Sequence, residues 1–152
     1  HHAGTLVLGE NKRWKQDCDM GSQNNQNFVS MPTGLLKQMI IYKASDAGIK
    51  TIMQEESYTS QADITAMDYI PVYGVDAENA VFSGRRISRS LYRCFNGMII
   101  NADCNGAANI MRKAITDAWN SITDFSFLAS PEVSGFHELN PLSISVKGIA
   151  AA

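Results

Sequence analysis

The chain is short of the features that mark secreted, membrane-spanning and zinc-ribbon proteins. Its three cysteines, Cys18, Cys94 and Cys104, include no Cys-x-x-Cys pair and stand beside no histidine cluster. Such usage favours neither a disulfide framework nor a structural zinc, which needs four ligands. No apolar run approaches the ~18 to 20 residues that cross a bilayer. The N-terminus also lacks the basic and apolar regions of a signal peptide, so a cytosolic setting with no membrane partner is expected. Neither sign of charge dominates. A net charge of -2 and a pI near 5.9 exclude a protein that holds nucleic acid by bulk charge, so any such binding has to be local. Internal repeats and low-complexity tracts are missing as well.

What remains is one domain's worth of sequence, 152 residues of which 45% are hydrophobic, enough to build a core. Residues 5 to 9, TLVLG, form a continuous apolar run closed by glycine and predict a buried strand, central in its sheet. Residues 10 to 31 are rich in Asn, Gln, Gly and charge and read as a long loop. From Thr33 to Ala47, Leu35, Leu36, Met39, Ile40 and Ala44 recur at one-sided helical spacing, with Thr33 as N-cap and Gly48 as the stop. IKTIMQ, 49 to 54, predicts a second strand. Strand, helix and strand in succession are the right-handed crossover of a parallel sheet, an α/β signature. Residues 60 to 84 read as a polar insertion, 97 to 102 as a last strand, and 105 to 119 as a helix. The tail from Ser121 is expected to be loosely docked or disordered.

The chemistry sits where apolar runs stop. QEESYTSQ, 54 to 61, carries Glu55 and Glu56, and IINADCNGAANI, 99 to 110, carries Asp103. Carboxylates from two such ends, brought together, make a divalent-metal site of the kind nucleases use. Glu55 and Glu56 are neighbours on a strand and point to opposite faces, so one of them serves a shared site. Asp103 has an ordinary reading too, as an N-cap of the following helix. Asn105 and Asn109 are placed to orient the carboxylate or a phosphate. Arg85, Arg86, Arg89 and Arg93, four of the six arginines, fall within nine residues around Tyr92. That composition suits phosphate contacts with a ring stacked on a base. Lys12, Arg13, Trp14 and Lys15 form a smaller candidate.

These two motifs, with GENKRWKQ at 9 to 16 and NNQNFVSMP at 24 to 32, resemble the transposon-encoded TnpB/OrfB proteins from about Thr5 to Lys113. The resemblance implies an RNase H-like (RuvC-type) nuclease domain over 1 to 120, truncated at its N-terminal strands, with an insertion at about 61 to 97 replacing a zinc ribbon and a tail at 121 to 152. It implies an RNA-guided, Mg²⁺-dependent DNA endonuclease or transposase accessory protein. DNA and a guide RNA would be its partners, with Asp103 and Glu55 or Glu56 as metal ligands.

Two departures matter. The family's usual glutamate closes the preceding strand, where this chain has Gly9 and then Glu10; the QEESYTS wording resembles a subgroup in which the glutamate has moved, so Glu55 or Glu56 is favoured as the ligand and Glu10 stays as the outside candidate. Ala62 and Asp63 stand where relatives begin their Cys-x-x-Cys pairs, so no structural zinc is expected. The strand carrying the first-motif aspartate is missing, so the chain reads as a C-terminal fragment that cleaves nothing without the N-terminal part of the protein. The alternative is a catalytically inactive, nucleic-acid-binding remnant of a mobile element.

Overall fold

The structure, a computed structural model, describes residues 4–10 and 33–131. The basic candidate at Lys12, Arg13, Trp14 and Lys15 lies outside the described residues, as do Cys18 and the tail from 132 onward.

The expected crossover is present. Strand β1 (Thr5–Glu10) is followed by helix α1 (Thr33–Asp46) and strand β2 (Lys50–Glu55). The strands pair in parallel from Thr5↔Lys50 to Glu10↔Glu55, so the two C-terminal ends lie side by side. Gly48 ends α1 with φ +71°, a conformation that costs glycine nothing. The helix forms as its periodicity predicts, but Leu35, Leu36 and Met39 are each more than half exposed, and only Ala44 is buried. The central position expected for β1 is not found among the described residues. It pairs with β2 alone in a two-stranded sheet, and most of its residues are half-buried.

The segment after β2 builds a second sheet. Strands β3 (Arg85–Arg86), β4 (Leu91–Arg93) and β5 (Ile99–Asn101) are antiparallel in that order. The last strand expected from the sequence therefore joins the polar insertion rather than the parallel sheet. Asp63 fastens this region from within. It is fully buried, and its carboxylate accepts from Thr65 N (2.9 Å), Thr65 Oγ1 (2.7 Å) and Phe95 N (2.7 Å). One side chain thus ties the turn after Ala62 to the turn after Cys94, and its three charge-assisted hydrogen bonds offset the cost of burying it. Burial pushes the neighbouring Cys94 thiol up to about 11, keeping it protonated.

Helix α2 (Ala102–Ala114) begins three residues earlier than expected, because Asn101 caps it. The Asn101 side chain accepts from Asp103 N (2.9 Å) and Cys104 N (3.0 Å). The N-cap reading of Asp103 is thereby replaced, and its carboxylate is left for other work in the first helical turn. Beneath the helix lies the core: Ile64, Tyr92, Cys94, Ile100, Ala102, Ala108, Phe125 and Leu128. Phe125 and Leu128 belong to the expected loose tail, yet they are buried. Trp119 holds them there, packing its ring edge on Phe125 and donating from Nε1 to Ala108 O at 3.0 Å.

Candidate metal and nucleic-acid site

Helix α2 touches both sheets, and at its N-terminal end a cleft of about 430 Å³ opens between it and the segment that leaves β2. Glu56 and Asp103 both line it, together with Tyr58, Arg86 and the small residues Ala102, Gly106 and Ala107. Glu56 and Asp103, 47 positions apart in the sequence, therefore face one space.

The structure separates the two glutamates. Glu55 is engaged by Lys113 near the far end of α2: Nζ donates to Oε2 at 2.5 Å and also to the carbonyls of Ser57 (3.3 Å) and Pro71 (3.0 Å). Ser57 N donates to the other Glu55 oxygen at 2.7 Å. Burial alone would raise the Glu55 pKa; the bonds from Lys113 and Ser57 and the lysine charge outweigh it and hold the carboxyl below its ordinary 4.5. A depressed carboxylate stabilises the fold above its unfolded pKa and loses that contribution as pH falls through the folded value. Lys113→Met is accordingly expected to flatten the decline of the thermal midpoint below about pH 4.5, measured by circular dichroism melts. An unchanged acid slope would show that the pair carries no linkage.

Glu56 turns the other way, as strand alternation requires, and Gly9 is what gives it room. A Cβ at position 9 would lie 2.3 Å from Glu56 Oε2 and 3.0 Å from Ile110 Cδ1. The Glu56 carboxylate thus occupies the space that a side chain on the end of β1 would fill. Glycine in a strand often marks such a close approach; that was the one signal in the sequence for this arrangement.

The asparagines do other work than expected. Asn105 and Asn109 are fully buried and clamp α2 to the loop after Glu56. Asn105 Oδ1 accepts from Ile64 N (3.2 Å) and its Nδ2 donates to Ala62 O (2.9 Å). Asn109 Nδ2 donates to Thr59 O (3.0 Å) and Ala62 O (2.7 Å). Neither amide is free to meet a phosphate.

The arginines divide as well. Arg86 reaches Asp103, with Nη2 3.4 Å from Oδ1, while its Nε donates to the carbonyls of Ser88 (3.2 Å) and Arg89 (3.1 Å). Arg85 and Arg93 stand directly opposite each other across β3 and β4, and both are exposed, as is Arg89. Tyr92 requires a correction: it is fully buried in the core, its hydroxyl donating to Gln61 O at 2.7 Å. Alternation along β4 sends it inward while its neighbours Leu91 and Arg93 face solvent, so its ring is not available to a base.

Two carboxylates on one cleft are hard oxygen donors, which suit Mg²⁺ because that ion keeps several waters and takes one or two carboxylates with substrate phosphates. Among the described residues, no three His, Cys, Asp or Glu side chains gather as a metal cluster, and no helix is long and apolar enough to cross a membrane.

Comparison with known proteins identifies the family. Residues 34–110 match the family model described as Cas12f1-like, TNB domain. Over 93 residues the chain is 37% identical to the CRISPR-associated endodeoxyribonuclease Cas12f1 of Sulfoacidibacillus thermotolerans, a match that covers 60% of this chain and 18% of that protein. The chain therefore spans less than a fifth of its relative's length. Since the family match takes in β2, the second sheet and most of α2, the segments that shape the cleft, the chain belongs to the Cas12f1-like, TnpB-type family.

Proposed function

We propose that this chain is the C-terminal, RuvC-type part of an RNA-guided DNA endonuclease, with an RNase H-like fold, and that the cleft holds a divalent cation against a phosphate of the DNA. The observation that carries the reading is the meeting of Glu56 and Asp103 on one cleft with Arg86 beside them. Glu56 and Asp103 would hold Mg²⁺ or Mn²⁺; Glu55, engaged by Lys113, would not. When bound, such a cation activates a water and neutralises charge on the phosphate during displacement.

The remaining groups position the strand. Arg86, anchored by two backbone carbonyls, presents its guanidinium to the phosphate that Asp103 faces. Arg85 and Arg93 form a like-charge pair across two strands, which is unfavourable in isolation and is relieved by a polyanion laid over it. Arg89 extends the same patch. Recognition of sequence would rest on base pairing with a guide RNA, the protein gripping backbone. DNA and guide RNA are thus the proposed partners.

Mn²⁺ binding tests this directly, read from the loss of the free-ion paramagnetic resonance signal. Asp103→Ala and Glu56→Gln are each expected to weaken binding by about tenfold or more, and Glu55→Gln by less than about twofold. Indifference to Asp103→Ala, or a larger loss from Glu55→Gln than from Glu56→Gln, would overturn the assignment. A second reading, a nucleic-acid-binding chain that does not cleave, draws on the lack of a third clustered metal-ligating side chain among the described residues. It predicts oligonucleotide binding that is indifferent to Mg²⁺.

A further inference from the structure

Tyr58 is the one cleft residue whose backbone is out of place. Its φ is +64°, in the left-handed region that bulky side chains rarely enter and that costs about 1 to 2 kcal/mol for an L-residue. Strain of this kind persists only where the surroundings over-determine it, and it gathers at functional sites. Here the surroundings are explicit. The Tyr58 carbonyl accepts from both Gln61 N (3.0 Å) and Ala62 N (3.1 Å), and Thr59 N and Oγ1 both return to Glu56 O (3.3 and 2.7 Å). Asn109 then fixes the next carbonyls from α2. The turn is held from both sides. Its product is a tyrosine on the lining of the cleft, two residues from Glu56 and sharing that space with Asp103.

We propose that Tyr58 is a base-stacking residue, its ring forming a platform for an unpaired nucleobase next to the phosphate at Asp103, Glu56 and Arg86. This rests on the function proposed above and deepens it by naming the group that would hold the base. Two observations and a general property of stacking favour it. The cleft, about 430 Å³, lies in the range of small-ligand sites, about 300 to 1,000 Å³, which suits one nucleotide rather than a duplex. A ring stacks on a base of any sequence, but only when that base has left its own stack. Finally, Phe82 lies nearly parallel to Tyr58, ring centroids 6.4 Å apart and planes 22° from each other, so the ring is backed on the protein side while remaining partly exposed. With Tyr92 in the core, Tyr58 takes over the stacking role that the sequence assigned to the arginine segment.

The test uses the full chain in EDTA, so that neither metal nor cleavage enters. A short single-stranded oligodeoxynucleotide carrying 2-aminopurine, scanned along its length, is titrated with protein. Stacking on tyrosine quenches the probe. The expected result is quenching at one or two positions, lost in Tyr58→Leu together with an affinity about five- to a hundredfold lower, the range of one stacked base. Tyr58→Trp keeps the quench. Tyr58→Gly, which suits the left-handed turn, loses it while preserving the melt, so a folding defect cannot account for the loss. Phe82→Leu keeps the quench, whereas a purely structural aromatic pair would make the two positions behave alike. Quenching that survives Tyr58→Leu, equal quenching of the same probe within a duplex, or no binding of the oligonucleotide would each overturn the proposal. Failure of the metal assignment alone would appear in Mn²⁺ binding and leave this signal intact.

Discussion

Glu56→Gly is expected to lower metal-dependent cleavage by the protein carrying this segment by about a thousandfold, a loss of roughly 4 kcal/mol of transition-state stabilisation. Adding Gly9→Glu is expected to bring the activity back to within about tenfold of the starting protein. The reasoning is geometric. The Glu56 carboxylate lies where a side chain from Gly9 would project, 2.3 Å from the Cβ that residue lacks. β1 and β2 are parallel and in register to their last residues, so either strand end can deliver an oxygen to nearly the same point. The double variant removes one carboxylate and supplies another in the vacated space. Mn²⁺ affinity of the chain should follow the same order. Gly9→Glu in the presence of Glu56 is the informative control, since two carboxylates then compete for one position and affinity should fall rather than double. If the double variant were no better than Glu56→Gly, the two positions would not be equivalent and the assignment of Glu56 would lose its main geometric support.

Asn109→Ala is expected to destabilise the fold by about 2 to 4 kcal/mol, with a fall of the thermal midpoint by roughly 5 to 12 °C for a chain of this size. The side chain is fully buried and serves three partners: the carbonyls of Thr59 and Ala62 through Nδ2, and Arg112 Nη2 through Oδ1 at 3.1 Å. Removing it takes the donor from the Thr59 carbonyl, leaves Asn105 to hold the Ala62 carbonyl, and loosens an arginine that is itself half-buried, with its Nε already unpartnered. An unmet buried polar group costs more than the hydrogen bond it once made. The same change unpins the turn that carries Tyr58, so exchange of the Gln61 and Ala62 amides should accelerate and Mn²⁺ affinity should fall, although Asn109 does not itself line the cleft. A midpoint shift below about 2 °C would show that Asn105 alone suffices as the clamp.

The parallel strand pair and its crossover helix were legible because they rest on local pattern: an apolar run, a one-sided helical period, and a glycine stop at Gly48. Asp103 stood out as a candidate because a carboxylate between a strand and a helix is conspicuous, and in the structure Asn101 takes the capping role that the sequence also offered to it. The choice between Glu55 and Glu56 was beyond the sequence. It depends on Lys113, 58 positions from Glu55, and on the space beside Gly9 that the Glu56 carboxylate fills. The asparagines were misread because an amide near an acidic residue suggests the same chemistry whether it faces a cleft or a core, and only burial distinguishes the two. Tyr92 was misjudged for a related reason. β4 spans three residues, Leu91–Arg93, too few for alternation to show which face is inside.

By itself the sequence determined the strand–helix–strand order, the residue types able to hold a hard cation, and the arginines able to meet phosphate, because each follows from side-chain chemistry and spacing along one segment. The tertiary structure decided which of these groups share a space. Proximity between segments separated by some fifty residues depends on what packs between them, here a bridging helix, two buried amides and the missing side chain of one glycine.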